Sequence, residues 1–350
     1  MLAFRLLAHG HPGKFECREV PDPQPTDAQV VVEVHACGLN RLDLWLEEGG
    51  LPIPVALPRT PGGEASGIVV RTGPDAVEWQ PGDRVAIQSN IFCGECEFCR
   101  HGEESLCLRG ELLGVQRDGG FAEQVVVPAS TLIRLPDTIS FETSAALTLA
   151  GSTAMHMLTT RAEVRPGDRV LVIGAASGVG SAAIQIAKHL GGRVITTGSS
   201  EAKRALGLKL GAEFAVDSND PNWPGVVRQF TGKRGVDLVV EHVGGKVLPR
   251  CFECLARGGT VVTCGATAGR EILVNLWPFF VKQHKLVGSY GRNREDMRAT
   301  LAWAAAGQLK PVIAPQAVFT LQNGAEAFLK LRSREALGKV LICPKHGSNA

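Results

Sequence analysis

The amino-acid sequence predicts an α/β protein in which a smaller β-rich domain with a metal-binding lobe precedes a six-stranded, doubly wound parallel sheet. Between residues 170 and 289, short apolar runs alternate with segments of helical periodicity, which is the pattern of a parallel sheet with helical crossovers. Over residues 1–150, short strand patterns alternate with Gly and Pro turns, as in a small barrel or sandwich. Four of the ten cysteines fall within residues 93–107, and such clustering indicates a metal site.

Composition narrows the classes of function. The chain has 350 residues, of which 44% are hydrophobic and 21% charged, and its formal net charge is +2. It lacks the basic stripe that nucleic acid or an anionic membrane would require, and no apolar run approaches the ~20 residues of a membrane span. The first residues do not have the layout of a signal peptide. We therefore expect a cytoplasmic protein that acts on a small molecule.

The β-rich domain is assigned to residues 1–150. Its strands are predicted at Val30–Val34, Gly67–Val70, Val85–Ile87 and Phe121–Val127. An apolar helical segment, Phe141–Thr159, is predicted to lead into the second domain.

The parallel-sheet domain is assigned to residues 151–289. Its six strands are predicted at Val170–Ile173, Val194–Thr197, Glu213–Val216, Val236–Val240, Gly259–Cys264 and Leu286–Ser289. Helices are predicted between most of them, at Gly178–Leu190, Glu201–Leu210, Asn222–Phe230 and Lys246–Leu255. Residues 290–350 contain two helices and two strands and are expected to return to the first domain; these elements are Arg294–Ala306, Ala317–Phe319, Gly324–Leu331 and Val340–Ile342.

The first strand–helix connection of this sheet is a candidate nucleotide-binding turn. The apolar strand Val170–Ile173 stops at Gly174, and small residues lead into a helical pattern. Small residues let a pyrophosphate approach the backbone, and the helix N-terminus offers free N–H groups and a positive dipole end. The match to G-x-G-x-x-G is imperfect, since Ala175 and Ser177 replace the first two glycines and only Gly180 is kept.

The cysteine lobe has the spacing of metal ligands. Cys93, Cys96, Cys99 and Cys107 follow the pattern C-x2-C-x2-C-x7-C, which suits one tetrahedral Zn²⁺. Because the protein fills all four positions, such a zinc is structural and holds a loop that is too short to have its own core. An iron–sulfur cluster is the alternative.

Together these features resemble the medium-chain dehydrogenase/reductase superfamily, which includes zinc alcohol dehydrogenases and quinone oxidoreductases. Besides the cysteine lobe and the glycine turn, the resemblance rests on ACGLNRLD (36–43), TPGGEASG (60–67), PGDRV (81–85), GGFAEQVVVP (119–128), AALTLAGSTA (145–154), EHVGG (241–245) and GKV (338–340). It implies a GroES-like N-terminal domain, a Rossmann domain, and an NAD(P)H-dependent oxidoreductase that forms a homodimer or homotetramer.

Zinc alcohol dehydrogenases of this superfamily hold a second, catalytic zinc, whose ligand positions fall here at Asn40, Gly63 and Leu149. Gly and Leu offer no ligating side chain and an amide is a poor zinc ligand, so a catalytic zinc of the usual kind is not expected. Asn40 and the segment LTLAGSTA are instead similar to those of quinone oxidoreductases and related zinc-free reductases. An atypical catalytic zinc would need other ligands, for which Cys37, Asp43 and Glu64 are the nearby candidates.

Without a catalytic metal, the chemistry favours reduction of an activated C=C bond or a quinone. Hydride from a nicotinamide adds to a carbon that a conjugated carbonyl makes electrophilic, while the protein positions the partners and polarises the carbonyl. Asn40 is expected either to donate an amide N–H to that carbonyl or to orient the nicotinamide ribose. Asp43 either supports this loop or relays a proton, and Tyr290, the only tyrosine, is a candidate proton donor.

The cofactor is predicted to be NADP(H) rather than NAD(H). NAD binders place an acidic residue at the end of the second strand to hold the ribose 2′-OH, but Gly198, Ser199 and Ser200 stand there, followed by Lys203 and Arg204. Hydroxyls and cations suit a 2′-phosphate. The residues predicted to bind the cofactor are Thr153, Ala176, Ser177, Gly178, Val179, Gly180, Ser199, Ser200, Lys203, Arg204, His242, Val243, Gly265, Ala266 and Ser289.

Two other functions remain open on the sequence: an alcohol dehydrogenase with an atypical catalytic site, and a nucleotide-binding module with little catalysis. For His242, backbone contact with the cofactor is favoured over a role as an acid. The aromatic stretch Trp277–Phe280 is interpreted as a loop that covers the substrate cleft or lies at a subunit interface.

Overall fold

The computed structural model describes residues 1–345, the side chain of Pro315 excepted, and the chain forms two units. Unit 1 contains Met1–Ala150, Asn293–Ala306 and the residues from Ile313 onward. Unit 2 contains Gly151–Arg292 and the short segment Gly307–Val312. No helix of the described residues is long and apolar enough to cross a membrane.

The strands of the described chain are, in order, β1 Leu2–Ala8, β2 Lys14–Glu19, β3 Gln29–Gly38, β4 Glu64–Thr72, β5 Arg84–Ile87, β6 Asn90–Ile91, β7 Glu111–Leu112, β8 Gln124–Pro128, β9 Leu132–Arg134, β10 Arg169–Val172, β11 Arg193–Gly198, β12 Phe214–Asp217, β13 Val236–Glu241, β14 Leu255–Thr263, β15 Lys285–Gly288, β16 Ile313–Phe319 and β17 Lys339–Ile342. The α-helices are α1 Arg41–Glu48, α2 Glu97–Arg100, α3 Phe141–Leu147, α4 Ala150–His156, α5 Gly178–His189, α6 Glu201–Leu210, α7 Trp223–Phe230, α8 Val247–Cys254, α9 Leu276–Val281, α10 Arg294–Ala305 and α11 Gly324–Arg332.

Unit 1 is built on a seven-stranded sheet in the order β16-β17-β3-β4-β5-β9, with β8 paired to β3. The long central strand β3 buries most of its side chains, because the hydrophobic core covers it on both faces. Strands β3 and β4 approach closely at Gly67, where a Cβ atom would lie 1.8 Å from the Glu33 carbonyl oxygen. The C-terminal strand β17 pairs with β3 and is fully buried, which carries Lys339 into the interior of this unit.

The helix predicted over Phe141–Thr159 is not continuous. Helix α3 ends at Leu147, α4 begins at Ala150, and a π-helical turn follows over Met157–Arg161. The interruption has a cause outside the segment: the backbone N–H groups of Leu149 and Ala150 donate to the buried carboxylate of Glu64, at 2.6 and 3.1 Å. The first N–H groups of a helix have no partner within it, so a carboxylate is stabilising there.

Unit 2 confirms the predicted doubly wound sheet of six strands. Their order is β12-β11-β10-β13-β14-β15, and every neighbouring pair is parallel. The order reverses between β10 and β13, which is the point where ligands bind in such sheets, beyond the carboxyl ends of the strands.

The aromatic stretch Trp277–Phe280 is a helix rather than the predicted loop. The side chain of Asn275 caps α9 by accepting a hydrogen bond from the Trp277 N–H, at 3.1 Å. Trp277 is 71% and Phe280 57% exposed, and the strand that follows, β15, pairs on one side only within the described chain. Unit 2 therefore presents an apolar helix beside an open sheet edge.

Candidate functional site

The glycine turn at the carboxyl end of β10 has the geometry of a phosphate-binding loop. Gly174 has a φ of +74°, and its N–H donates to the Thr197 hydroxyl at 3.0 Å. Ser177 caps α5: its Oγ accepts from the Gly180 N–H at 2.8 Å. A Cβ at Gly180 would lie 2.1 Å from the Gly174 carbonyl oxygen, so only glycine lets helix and strand come this close. The helix N-terminus is thereby held where it can meet a pyrophosphate.

His242 supports this turn through its side chain. Its Nε2 lies 2.9 Å from the Ile173 carbonyl oxygen and 3.1 Å from the Ser177 Oγ, which assigns the Nε2-protonated tautomer. The loop after β13 is fixed by Glu241, which is fully buried and accepts from the N–H groups of Val243 and Gly244 at 2.6 and 2.7 Å. The sequence pattern EHVGG did not reveal either supporting role.

Two further predicted cofactor residues follow the carboxyl ends of strands of the same sheet. Gly265 follows β14, and a Cβ there would lie 2.6 Å from the His242 carbonyl oxygen. Ser289 follows β15 and is 8% exposed, and Thr153 lies in α4 with the same low exposure. Tyr290 is 61% exposed, and no hydrogen bond of its side chain is found within residues 1–345.

The segment after β11 presents hydroxyls and two cations. The Lys203 Nζ donates to the Ser199 Oγ at 3.1 Å, and Ser200 caps α6. Arg204 donates to the Gly198 carbonyl at 3.2 Å and forms an ion pair with Asp217 at 3.1 Å. Part of the positive charge that the sequence placed here is therefore balanced by a carboxylate of the next strand.

Unit 1 contains a second polar cluster, centred on Asn40, Glu64 and Lys339. Glu64 is fully buried and Lys339 is 5% exposed; the Lys339 Nζ lies 2.5 Å from the Glu64 Oε2. The same ammonium donates to the Asn40 Oδ1 and the Leu39 carbonyl, each at 2.8 Å. Lys339 was not predicted as a site residue, although its motif GKV was noted.

Both amide hydrogens of Asn40 are already donated. One goes to the Glu64 Oε2 at 2.9 Å and the other to the Gly38 carbonyl at 3.2 Å. Donation to a substrate carbonyl would require one of these bonds to be given up. The Oδ1 accepts from Lys339 and, in a capping box at the start of α1, from the Asp43 backbone N–H, so its two lone pairs are used within unit 1. The two roles expected for Asn40, binding a substrate carbonyl or orienting a ribose, stay predictions.

Asp43 holds the loop at the start of α1. Its carboxylate accepts from the Asn40 N–H at 2.8 Å and from the Gly62 N–H at 3.3 Å. Burial raises the pKa of Asp43 to about 6, and the two backbone donors oppose that rise. The proton relay proposed for this residue stays a prediction.

The three alternative ligands for a catalytic zinc do not form a donor set. Both Glu64 oxygens are engaged by Lys339, Asn40 and two backbone N–H groups, and Asp43 accepts from the backbone. Cys37 is fully buried, and burial raises the pKa of its thiol well above the usual value. Among residues 1–345, the cysteine lobe is the one group of three or more His, Cys, Asp or Glu side chains close enough to share an ion.

The lobe itself fits a tetrahedral zinc. The four Sγ atoms of Cys93, Cys96, Cys99 and Cys107 all lie within 4.8 Å of one another, and those of Cys93 and Cys99 are 3.9 Å apart. Zn–S bonds of about 2.3 Å in tetrahedral geometry imply sulfurs about 3.8 Å apart. The backbone N–H groups of Glu95 and Cys96 lower the pKa of Cys93, whereas burial and the neighbouring thiols raise the pKa of Cys99, so the thiols of the lobe share their protons when no metal is bound.

Comparisons with known proteins match this architecture. Residues 26–137 match the model of the alcohol dehydrogenase GroES-like domain, and residues 178–306 that of zinc-binding dehydrogenases. An alcohol dehydrogenase of Geobacillus stearothermophilus is 30% identical over 329 residues, which cover 93% of this chain and 95% of the relative. The chain belongs to the medium-chain dehydrogenase/reductase superfamily.

Relatives within this superfamily carry two kinds of name. The quinone oxidoreductase of Homo sapiens is 29% identical over 350 residues, covering 98% of this chain and 97% of the relative. A solved structure of an NAD-dependent alcohol dehydrogenase has a TM-score of 0.94 and 38% identity, and covers 98% of this chain and 99% of that one. This medium-chain dehydrogenase/reductase is therefore an oxidoreductase. Because its relatives carry both names, the class of its substrate has to be inferred from the chemistry of the site.

In this medium-chain dehydrogenase/reductase the cysteine lobe contacts the start of Asn293–Ala306, a segment of unit 1 that follows unit 2 in the sequence. Glu104 and Ser105 lie inside it; the Glu104 carboxylate accepts from the Arg294 N–H at 2.8 Å, and the Ser105 N–H donates to the Asn293 Oδ1 at 2.9 Å. Both contacts are made at the N-terminus of α10. Metal in the lobe should therefore stabilise the first turn of this helix.

We predict one zinc per chain in the purified protein and none in Cys99→Ala, measured by elemental analysis. Cys99→Ala should also unfold at a lower temperature and show faster amide hydrogen exchange at the start of α10, because the lobe no longer holds it. Cys17→Ala, which removes a cysteine outside the lobe, serves as the control and should keep its zinc. Zinc retained by Cys99→Ala would show that another site exists.

Proposed function

We propose that this protein transfers a hydride from NADPH to an activated C=C bond or a quinone without a catalytic zinc. The observation that carries the proposal is the set of hydrogen bonds that the Glu64 carboxylate accepts. Its carboxylate lies among the three positions that correspond to catalytic zinc ligands and is fully occupied by Lys339, Asn40 and the N–H groups of Leu149 and Ala150. The Lys339 ammonium supplies the local positive charge beside Glu64 and Asn40.

The nicotinamide supplies the hydride, and the residues of the chain bind and orient the cofactor and the acceptor. The glycine turn and the N-terminus of α5 hold the pyrophosphate. Lys339 fixes the orientation of the Asn40 amide, because its ammonium can only pair with the oxygen and Glu64 can only accept from the nitrogen. Asn40, held in this single orientation, is proposed as a residue that positions a reactant. Tyr290 is proposed as the donor of the proton that completes the reduction.

The test is a panel of acceptors with NADPH: conjugated enones, enoyl thioesters and quinones, against primary and secondary alcohols with the oxidised cofactor. We expect the protein to turn over at least one conjugated acceptor. Neither added zinc nor a mild chelator should change the rate of that reaction. Asn40→Ala should lower that rate while Lys209→Ala, an exposed lysine far along α6, leaves it unchanged. Turnover confined to alcohols and dependent on added zinc would instead establish the alcohol dehydrogenase alternative.

The preference for NADPH is proposed on the segment after β11. Ser199, Ser200 and Lys203 offer two hydroxyls and one cation, and no carboxylate follows β11 until Glu201, the first residue of α6. Arg204 contributes less, because Asp217 already pairs with it. A 2′-phosphate would gain charge-assisted hydrogen bonds here, whereas a 2′-hydroxyl would gain little.

Lys203→Ala should therefore raise KM for NADPH by about tenfold, the scale of one charged hydrogen bond, with little change for NADH. Lys209→Ala is the matched control, since it removes the same charge from the other end of the helix. Equal effects of Lys203→Ala on both cofactors, or a wild-type preference for NADH, would contradict the assignment.

A homodimer is proposed on the open edge of unit 2. Strand β15 leaves its outer backbone groups unpaired within the described chain, and Leu276, Trp277, Phe280 and Leu286 are exposed beside it. A second copy related by a twofold axis would pair the two edges and cover these side chains. The edge is then protected from non-specific association.

We expect Trp277→Glu to reduce the mass in solution to that of a single chain, measured by size-exclusion chromatography with light scattering. Val77→Glu places the same charge on an exposed apolar position of unit 1 and should leave the mass unchanged. A monomeric wild type would refute this assembly.

A further inference from the structure

A pocket of about 430 Å³ lies on unit 2 at the edge opposite the glycine turn. Its lining includes the residues that come before or begin β13, β14 and β15, whereas the glycine turn follows the carboxyl end of β10. Five cationic side chains line it: Arg228, Lys233, Arg234, Arg257 and Lys282. Nothing in the proposed hydride transfer uses this pocket.

The charge of the pocket is almost unbalanced. Arg234 forms an ion pair with Asp237 at 2.6 Å. For the other four cations, no carboxylate within residues 1–345 lies at ion-pair distance. The pocket therefore carries a local excess of positive charge, although the net charge of the whole chain is only +2. Like charges held together in this way repel one another and attract a multivalent anion.

Backbone carbonyls hold the guanidinium groups in place. Arg228 donates to the carbonyls of Leu255, at 3.3 Å, and of Lys233. Arg257 donates to the Val281 carbonyl at 3.3 Å. Lys233 adopts a φ of +64°, an uncommon conformation for a residue with a side chain, and its carbonyl thereby meets Arg228. The guanidinium groups are therefore positioned before any ligand arrives.

The two lysines complete the donor set. The structure gives no hydrogen bond or ion pair for the Nζ of Lys233 or Lys282 within the described chain, so both ammonium groups are available to a ligand.

We propose that this pocket binds a small multivalent oxyanion of the di- or triphosphate class. Two ammonium groups without an ion-pair partner in the described chain and three guanidinium groups held by carbonyls or Asp237 suit adjacent phosphates, because each phosphate accepts several charge-assisted hydrogen bonds. The site is separate from the cofactor turn, and the proposal does not depend on the hydride-transfer reaction.

The test is calorimetric titration of the full-length protein with inorganic tripolyphosphate, with the nicotinamide cofactor present at saturation so that the glycine turn is occupied. The double variant Lys233→Ala/Lys282→Ala loses the two lysines of the pocket, and Lys188→Ala/Lys209→Ala loses two exposed lysines of α5 and α6 as the matched control. Ionic strength is kept constant with sodium chloride, whose monovalent anion competes weakly for such a site.

We expect one tripolyphosphate site per chain in the wild type and the control, and binding at least about tenfold weaker in the pocket variant. Repeating the titration with pyrophosphate and with ADP distinguishes an inorganic anion from a nucleotide as the ligand. No saturable binding, equal binding in the pocket variant, or an equal loss in the control variant would overturn the proposal.

Discussion

The buried ion pair between Lys339 and Glu64 is the interaction on which unit 1 depends most. One carboxylate, with no exposed surface, accepts bonds from the ammonium, from the Asn40 amide and from two backbone N–H groups. These donors come from β17, from the start of α1 and from the break between α3 and α4. Removing one partner of such a pair leaves a charge uncompensated in the interior, which typically costs about 3–5 kcal/mol. The pair therefore ties the C-terminal strand to the loop that carries Asn40.

The same pair accounts for the chemistry that we propose. The superfamily contains both alcohol dehydrogenases and quinone oxidoreductases among the relatives of this chain. This protein combines a cysteine lobe that fits zinc with a second polar cluster that contains the Lys339 ammonium ion. A positive charge fixed among Asn40, Glu64 and the N-terminus of α4 orients groups around it but cannot bind an alkoxide as a metal does. Reduction of an acceptor that a conjugated carbonyl already polarises does not require a metal ion to bind an alkoxide.

Local patterns predicted the elements of the parallel sheet well. Helix α6 was predicted over the residues that it occupies, and the six strands of unit 2 all overlap their predicted segments. Apolar periodicity and turn residues determine these elements, so a single sequence contains the information. The break in the helix predicted over Phe141–Thr159 had no local signal, because its cause, Glu64, lies 85 residues from Leu149.

Long-range pairing also limited the prediction of the sites. The contact between Lys339 and Asn40 spans 299 residues, and the ion pair between Arg204 and Asp217 joins helix α6 to the end of β12. Neither partner can be chosen from spacing, since many charged residues compete for each. The cysteine lobe was predictable for the opposite reason: all four ligands fall within one short segment.

The most direct test of this account is a double-mutant cycle on the ion pair, read by thermal unfolding and by reductase activity. Glu64→Gln and Lys339→Met should each destabilise the protein strongly, and the double variant should recover much of the lost stability because no charge is left unpaired. Its activity should stay low, since the Asn40 amide has lost the two charged groups that orient it. Additive losses of stability, or full activity in the double variant, would contradict the central role of the pair.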